Sequence, residues 1–150
     1  MLDILAARPK MRAEDVLKIM AIDDEPRDLA MLQRHALNAD HPKCRLAAFT
    51  DVEDACRAIK DERPDVILID DCMDGAMVAD KTMQRLRDEG FSGGIAVLSS
   101  VKQPGRSQYL IRSGAFYHFD KNELNFQTFM ELVDLAMATG RLMRFRRGAG

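Results

Sequence analysis

The chain has 150 residues, with 22 Lys plus Arg against 24 Asp plus Glu and a formal net charge of -2. That length suits one domain with a full hydrophobic core, and 47% hydrophobic with 31% charged residues excludes wholesale disorder. The longest apolar runs are strand-sized, which excludes a membrane span; Met1 to Arg12 lacks the apolar stretch of a secretory signal, and Cys44, Cys56 and Cys72 fit reduced thiols of a cytoplasmic protein rather than a disulfide framework or zinc site.

Residues 1–15 read as an N-terminal extension. Val16 to Ile22 is an apolar run that stops at Asp23-Asp24-Glu25-Pro26. Proline is tolerated in a helix's first turn and acids are favoured there, so a helix is expected to start at this point. Leu29, Leu32, Ala36 and Leu37 recur at i, i+3, i+7 and i+8, one helical face. Arg45 to Phe49 is a second, weaker strand. Thr50-Asp51-Val52-Glu53 has the spacing of a capping box, and Val52, Ala55, Cys56 and Ile59 line the helix it opens.

Pro64 closes that helix, and Val66 to Ile69 follows as an unbroken apolar strand, the mark of a central parallel strand covered on both faces. Met77 to Asp88 reads as a helix, Ile95 to Leu98 as a fourth strand ending at Ser99-Ser100, and Pro104 to Ser113 as a short helix closed by Gly114. Ala115 to Phe119 is a fifth strand. Phe126, Phe129, Met130, Val133 and Met137 give an amphipathic helix expected to end at Gly140. The domain is thus residues 16–140. A tail, residues 141–150, carries Arg141, Arg144, Arg146 and Arg147 and no acid, so it holds +4 and leaves -6 for the rest.

Five strand–helix pairs in alternation imply a parallel sheet with right-handed crossovers. The expected fold is α/β, a flavodoxin-like (βα)5 doubly wound sheet with strand order 2-1-3-4-5. Ligands of such sheets sit at the carboxyl ends of the strands. Those ends carry Asp23 and Asp24, Asp70 and Asp71, Ser99 and Ser100, and Asp120 with Lys121. Carboxylates ~4 Å apart repel by about 4 kcal/mol at an effective dielectric near 20, so such a cluster raises its pKa values or takes up a cation. All-oxygen ligands without His or Cys side chains suit Mg²⁺. A strand-end Asp beside Mg²⁺ and Lys is placed to accept a phosphoryl group as nucleophile, with Ser99 and the ammonium stabilising the transferring oxygens. Asp71 is expected to be a solvated neighbour, because successive side chains at a strand end diverge.

With Asp23-Asp24 after the first strand, Asp70-x-x-Met73 after the third, Ser99 after the fourth, and Gly114-Ala115 leading to Lys121, the chain resembles a two-component response-regulator receiver domain of the CheY-like, single-domain type. The resemblance runs from about Val16 to about Thr139. Asp70 to Ser99 is 29 positions and Ser99 to Lys121 is 22, both usual for receivers. It implies that Asp70 is the phosphoacceptor, and that Asp24 and Asp70 bind Mg²⁺ with the backbone carbonyl of Cys72, Asp23 assisting through water. Ser99 and Lys121 would contact the phosphoryl oxygens, and His118 takes the place of the family's aromatic switch residue.

Two departures stand out. Asp74 replaces the usual Pro after Met73, and Asn122 replaces the Pro that follows the Lys; the loop after Asp70 is therefore expected to be less rigid and more acidic than usual. The implied partners are a histidine kinase or a histidine phosphotransfer protein. Output is expected through a downstream protein or a homodimer formed on helix 4, strand 5 and helix 5, with no DNA-binding domain and with Asp70 turning over only its own phosphoryl group. Two alternatives remain open at this stage. One is a receiver that binds an anionic ligand such as a cyclic dinucleotide through its Arg-rich tail; the other is a pseudo-receiver used only for docking. Rival motifs fail on single residues. An EF-hand loop opening at Asp70 lacks its ligands at Cys72 and Lys81, a haloacid-dehalogenase-type phosphatase wants an acid where Cys72 stands, and no G-x-G-x-x-G or Walker A segment exists.

Overall fold

The computed structural model describes residues 16–148, with side chains as far as residue 140. Its main sheet has the strands β1 (Val16–Ile22), β2 (Lys43–Phe49), β3 (Val66–Asp70), β6 (Gly94–Ser99) and β7 (Tyr117–Asp120), all parallel, in the order β2-β1-β3-β6-β7. The helices are α1 (Pro26–Asn38), α2 (Val52–Glu62), α3 (Ala79–Asp88), α4 (Arg106–Arg112) and α5 (Phe126–Gly148). A two-stranded hairpin of β4 (Cys72–Met73) and β5 (Ala76–Met77) lies between β3 and α3. Without the hairpin, the order is the expected 2-1-3-4-5.

Strand alternation assigns side chains to two cores. Ile19, Ala21, Val66, Leu68, Ala96 and Leu98 pack with α1 and α5, while Met20, Ile22, Ile67, Ile69, Ile95 and Val97 pack with α2, α3 and α4. All of β3 is buried, as its apolar run requires, and β2 is the half-buried edge strand. Gly94 opens β6 where a Cβ would come within 2.9 Å of the Phe116 ring, so the close approach of this ring needs a glycine.

Register brings the functional ends level. Ile22 pairs with Ile69, Asp70 with Leu98, and Ser99 with Asp120, so Asp23, Asp70, Ser99 and Lys121 emerge at one edge of the sheet. Pro26 is the first residue of α1, as expected, and Glu25 caps it by accepting from the Arg27 amide.

Several boundaries differ from expectation. Asp51, not Thr50, caps α2, accepting from the amides of Glu53 and Asp54. The loop after Asp70 is not loose: Asp74 and Gly75 both have positive φ, 54° and 80°, the requirement of a tight two-residue hairpin turn. The last helix continues through Gly140 to Gly148. A glycine inside a helix costs only about 1 kcal/mol relative to alanine, and the residues after Gly140 are mostly good helix formers, so Gly140 is not a stop. The side chains of Arg141, Arg144, Arg146 and Arg147, on which the anion-binding reading rests, lie outside the described residues.

Candidate functional site

The segment from the end of β1 through the first turn of α1 delivers three aspartates. Asp23 follows the last β1 residue and is buried; its Oδ1 accepts from the Glu25 amide at 2.9 Å, which fixes the turn into the helix. Asp24 is exposed, and its Oδ2 accepts from the Asp74 amide at 2.8 Å. A proline at 74 could not make that bond, because it has no N–H. The departure at Asp74 therefore ties the hairpin to the acidic pair. Asp28, in the first turn of α1, is the third aspartate.

Asp70 ends β3 nearly buried, and its Oδ1 accepts from the Cys72 amide at 3.3 Å. Carboxylate oxygens of Asp23, Asp24 and Asp70 lie within 4.8 Å of one another. This close set of hard oxygen donors fits Mg²⁺, which takes a few carboxylates and keeps several waters. Of Cys72, the amide rather than the carbonyl makes the contact observed with Asp70.

Lys121 lies one residue beyond β7 and reaches back across the sheet edge. Its Nζ donates to Asp23 Oδ2 at 2.6 Å and to Asp28 Oδ2 at 2.8 Å, and sits 3.2 Å from Asp70 Oδ1. Burial works against the ammonium, but the hydrogen bonds to Asp23 and Asp28 outweigh it and hold its pKa above the usual lysine value. Burial, followed by the neighbouring Asp23 charge, pushes the Asp70 carboxyl up to about 6 against the pull of Lys121. A nucleophile that holds its proton to this pH is one from which a cation would draw the proton away.

The remaining expected residues are at the same edge but engaged differently. Ser99 is buried, and its hydroxyl donates to the Val101 carbonyl at 2.6 Å, within its own loop. His118 is half-buried on β7, its Nδ1 2.6 Å from the Ser107 hydroxyl of α4, and burial lowers its pKa. Ser99 is the last residue of β6, whereas His118 lies inside β7.

Asp71 corrects the expectation of a solvated side chain. It is fully buried and faces away from the acidic cluster, where Arg106 donates Nε to Oδ2 at 3.0 Å and Nη2 to Oδ1 at 2.6 Å. Divergence at the strand end was the right premise, but the far side of the sheet is covered by α4 rather than by water. Arg106 also lies 5.3 Å from the centre of the Tyr109 ring, whose hydroxyl donates to Asp80 on α3 at 2.8 Å. Neither Asp28 nor the Asp71–Arg106 pair stood out in the sequence. Asp28 had one signal, an acid in the first turn of a helix that begins at the site.

The response regulator receiver domain family matches residues 19–134. Among solved structures, the chain resembles the signal receiver domain of modulated diguanylate cyclase from Desulfovibrio desulfuricans G20, with 22% identity, a TM-score of 0.70, and coverage of 85% of this chain and 98% of that one. It also resembles the N-terminal receiver domain of RstA from Klebsiella pneumoniae, at 18% identity, a TM-score of 0.67, and coverage of 80% and 97%. NtrX from Brucella abortus, at 18% identity and a TM-score of 0.74, is matched over 90% of this chain but 29% of its own length. No curated protein sequence matches the chain. The matched span runs from within β1 into the first turns of α5, with every carboxylate of the site and the lysine inside it, so the chain belongs to the family of response-regulator receiver domains.

Proposed function

We propose that the chain is a phosphorylation-controlled signalling switch, taking a phosphoryl group on Asp70 from a phosphohistidine of a histidine kinase or a phosphotransfer protein. The observation that carries this reading is the meeting of Asp23, Asp24, Asp70 and Lys121 at one sheet edge. An Asp70 carboxylate oxygen attacks phosphorus, the P–N bond to the donor imidazole breaks, and the leaving nitrogen takes up a proton. Mg²⁺, held by Asp24 and Asp70 with the Cys72 carbonyl and with Asp23 through water, would neutralise charge on the transferring oxygens. Lys121 turns from Asp70 to a phosphoryl oxygen, and Ser99 exchanges its bond to Val101 for another. Attack of water on phosphorus later returns the carboxylate and releases phosphate. Asp70 thus turns over only its own phosphoryl group, with no external substrate beyond the donor.

Output through another protein or a second copy fits the surface of α4, β7 and α5, where Tyr109, Ile111 and Tyr117 are each more than 40% exposed. His118 and the exposed Ser107 join β7 to α4 at that surface. No helix among the described residues is long and apolar enough to cross a membrane.

The test is incubation of the full chain with acetyl phosphate and Mg²⁺, followed by mass spectrometry. One added phosphoryl group is expected, dependent on Mg²⁺ and absent from Asp70→Ala. Undiminished labelling of that variant would overturn the assignment.

A further inference from the structure

Lys121 is the only cation within hydrogen-bonding reach of Asp70 among the described residues, so its placement governs how the site meets a phosphoryl group. An ammonium has three N–H donors and a flexible four-carbon stem. Here the three donors face three carboxylates. Asp23 and Asp70 belong to the acidic cluster that would hold the cation, whereas Asp28 does not. Were Asp23 to hold a metal-bound water and Asp70 to carry a phosphoryl group as an acyl phosphate, two of the three anchors of the ammonium would be altered. Asp28 is the one that both changes leave intact.

We infer that Asp28 is a positioning residue, which keeps the Lys121 ammonium in place for a phosphoryl oxygen; the inference rests on the reading of Asp70 as phosphoacceptor. The backbone supports such an anchor. Asp28 is in the first turn of α1, whose start is set by Pro26, the Glu25 cap and the Asp23 turn. Its side chain is 38% exposed and its Oδ2 meets Nζ at 2.8 Å, while Lys121 itself is 13% exposed. An acid in this turn is also favoured by the helix dipole alone. That bland role predicts an effect on stability and none on the lysine, which separates the two.

The experiment compares Asp28→Ala and Asp28→Asn with the wild-type chain, using acetyl phosphate as donor and following labelling of Asp70 by mass spectrometry. The maximal rate of Asp28→Ala should fall about tenfold, because misplacing a catalytic group by a fraction of its reach costs rate. The donor and Mg²⁺ concentrations for half-maximal rate should stay unchanged. Asp28→Asn keeps an acceptor oxygen for Nζ and should recover most of the loss. In a Lys121→Ala background, Asp28→Ala should cost nothing more, since the group it positions is gone. Equal losses in both backgrounds, or a wild-type rate in Asp28→Ala, would overturn the inference and leave Asp70 as phosphoacceptor. A wild-type chain that takes up no phosphoryl group would overturn both.

Discussion

Successive side chains at a strand end point to opposite faces of the sheet, and at Asp70-Asp71 this sends two carboxylates into unlike surroundings. Asp71 has an arginine on both oxygens, while Asp70 has another acid close by and part share in a lysine. The Asp70 pKa, about 6 in the fold against 3.8 ordinarily, means that the native state holds a proton the unfolded chain has released between those values. Stability tied to this group is therefore present at acid pH and is lost as pH rises through about 4 to 6. Asp70→Asn removes the dependence. Relative to wild type without Mg²⁺, it should gain about 3 kcal/mol more at pH 7 than at pH 3.5, two pKa units at 1.36 kcal/mol each, as read by urea denaturation. A difference independent of pH would contradict the burial argument. Asp23, Asp24, Asp70, Ser99 and Lys121 were legible in the sequence because each follows a recognisable strand. Asp28 and Arg106 were not, since what matters there is a partner 93 or 35 positions away.

At the scale of elements, the hairpin was left unread by the sequence, whereas α4 was read as a short helix from Pro104 to Ser113 without what holds it in place. Asp74-Gly75 is a strong hairpin signal between longer strands, but β4 and β5 have two residues each, too few to show alternation. α4 is seven residues long, begins after Gly105 with no side-chain cap, and opens on Arg106, a cation where the helix dipole disfavours one. Its placement depends on what Arg106 reaches. Removing one member of a buried pair strands the other charge, at about 3–5 kcal/mol. Arg106→Ala should therefore destabilise the fold by about 3 kcal/mol in urea denaturation. Asp71→Asn/Arg106→Ala should recover at least half of that, because the stranded charge is gone while an oxygen remains for the Ala79 amide, now 3.4 Å from Asp71 Oδ1. A double variant as unstable as the single one would show that the arginine acts through packing alone.

For the whole molecule, the topology was the most legible feature, because hydrophobic runs and helical periods alternate without a break and β3 has no polar face. The sheet that results is a continuous partition between two cores that share no side chain. Thermodynamic coupling between substitutions should follow that partition. Ile19 faces α1 and α5, Ile95 faces α3 and α4, and β3 stands between their strands. Ile19→Val and Ile95→Val should each cost about 0.5–1.5 kcal/mol, and together the sum of the two to within about 0.5 kcal/mol. Ile67 is the register partner of Ile95 on the same face. Ile67→Val with Ile95→Val opens adjoining space that one side-chain rearrangement can fill, so that pair should depart from its sum. The two halves of the protein would then accumulate sequence change almost independently, each constrained by its own face of one shared wall.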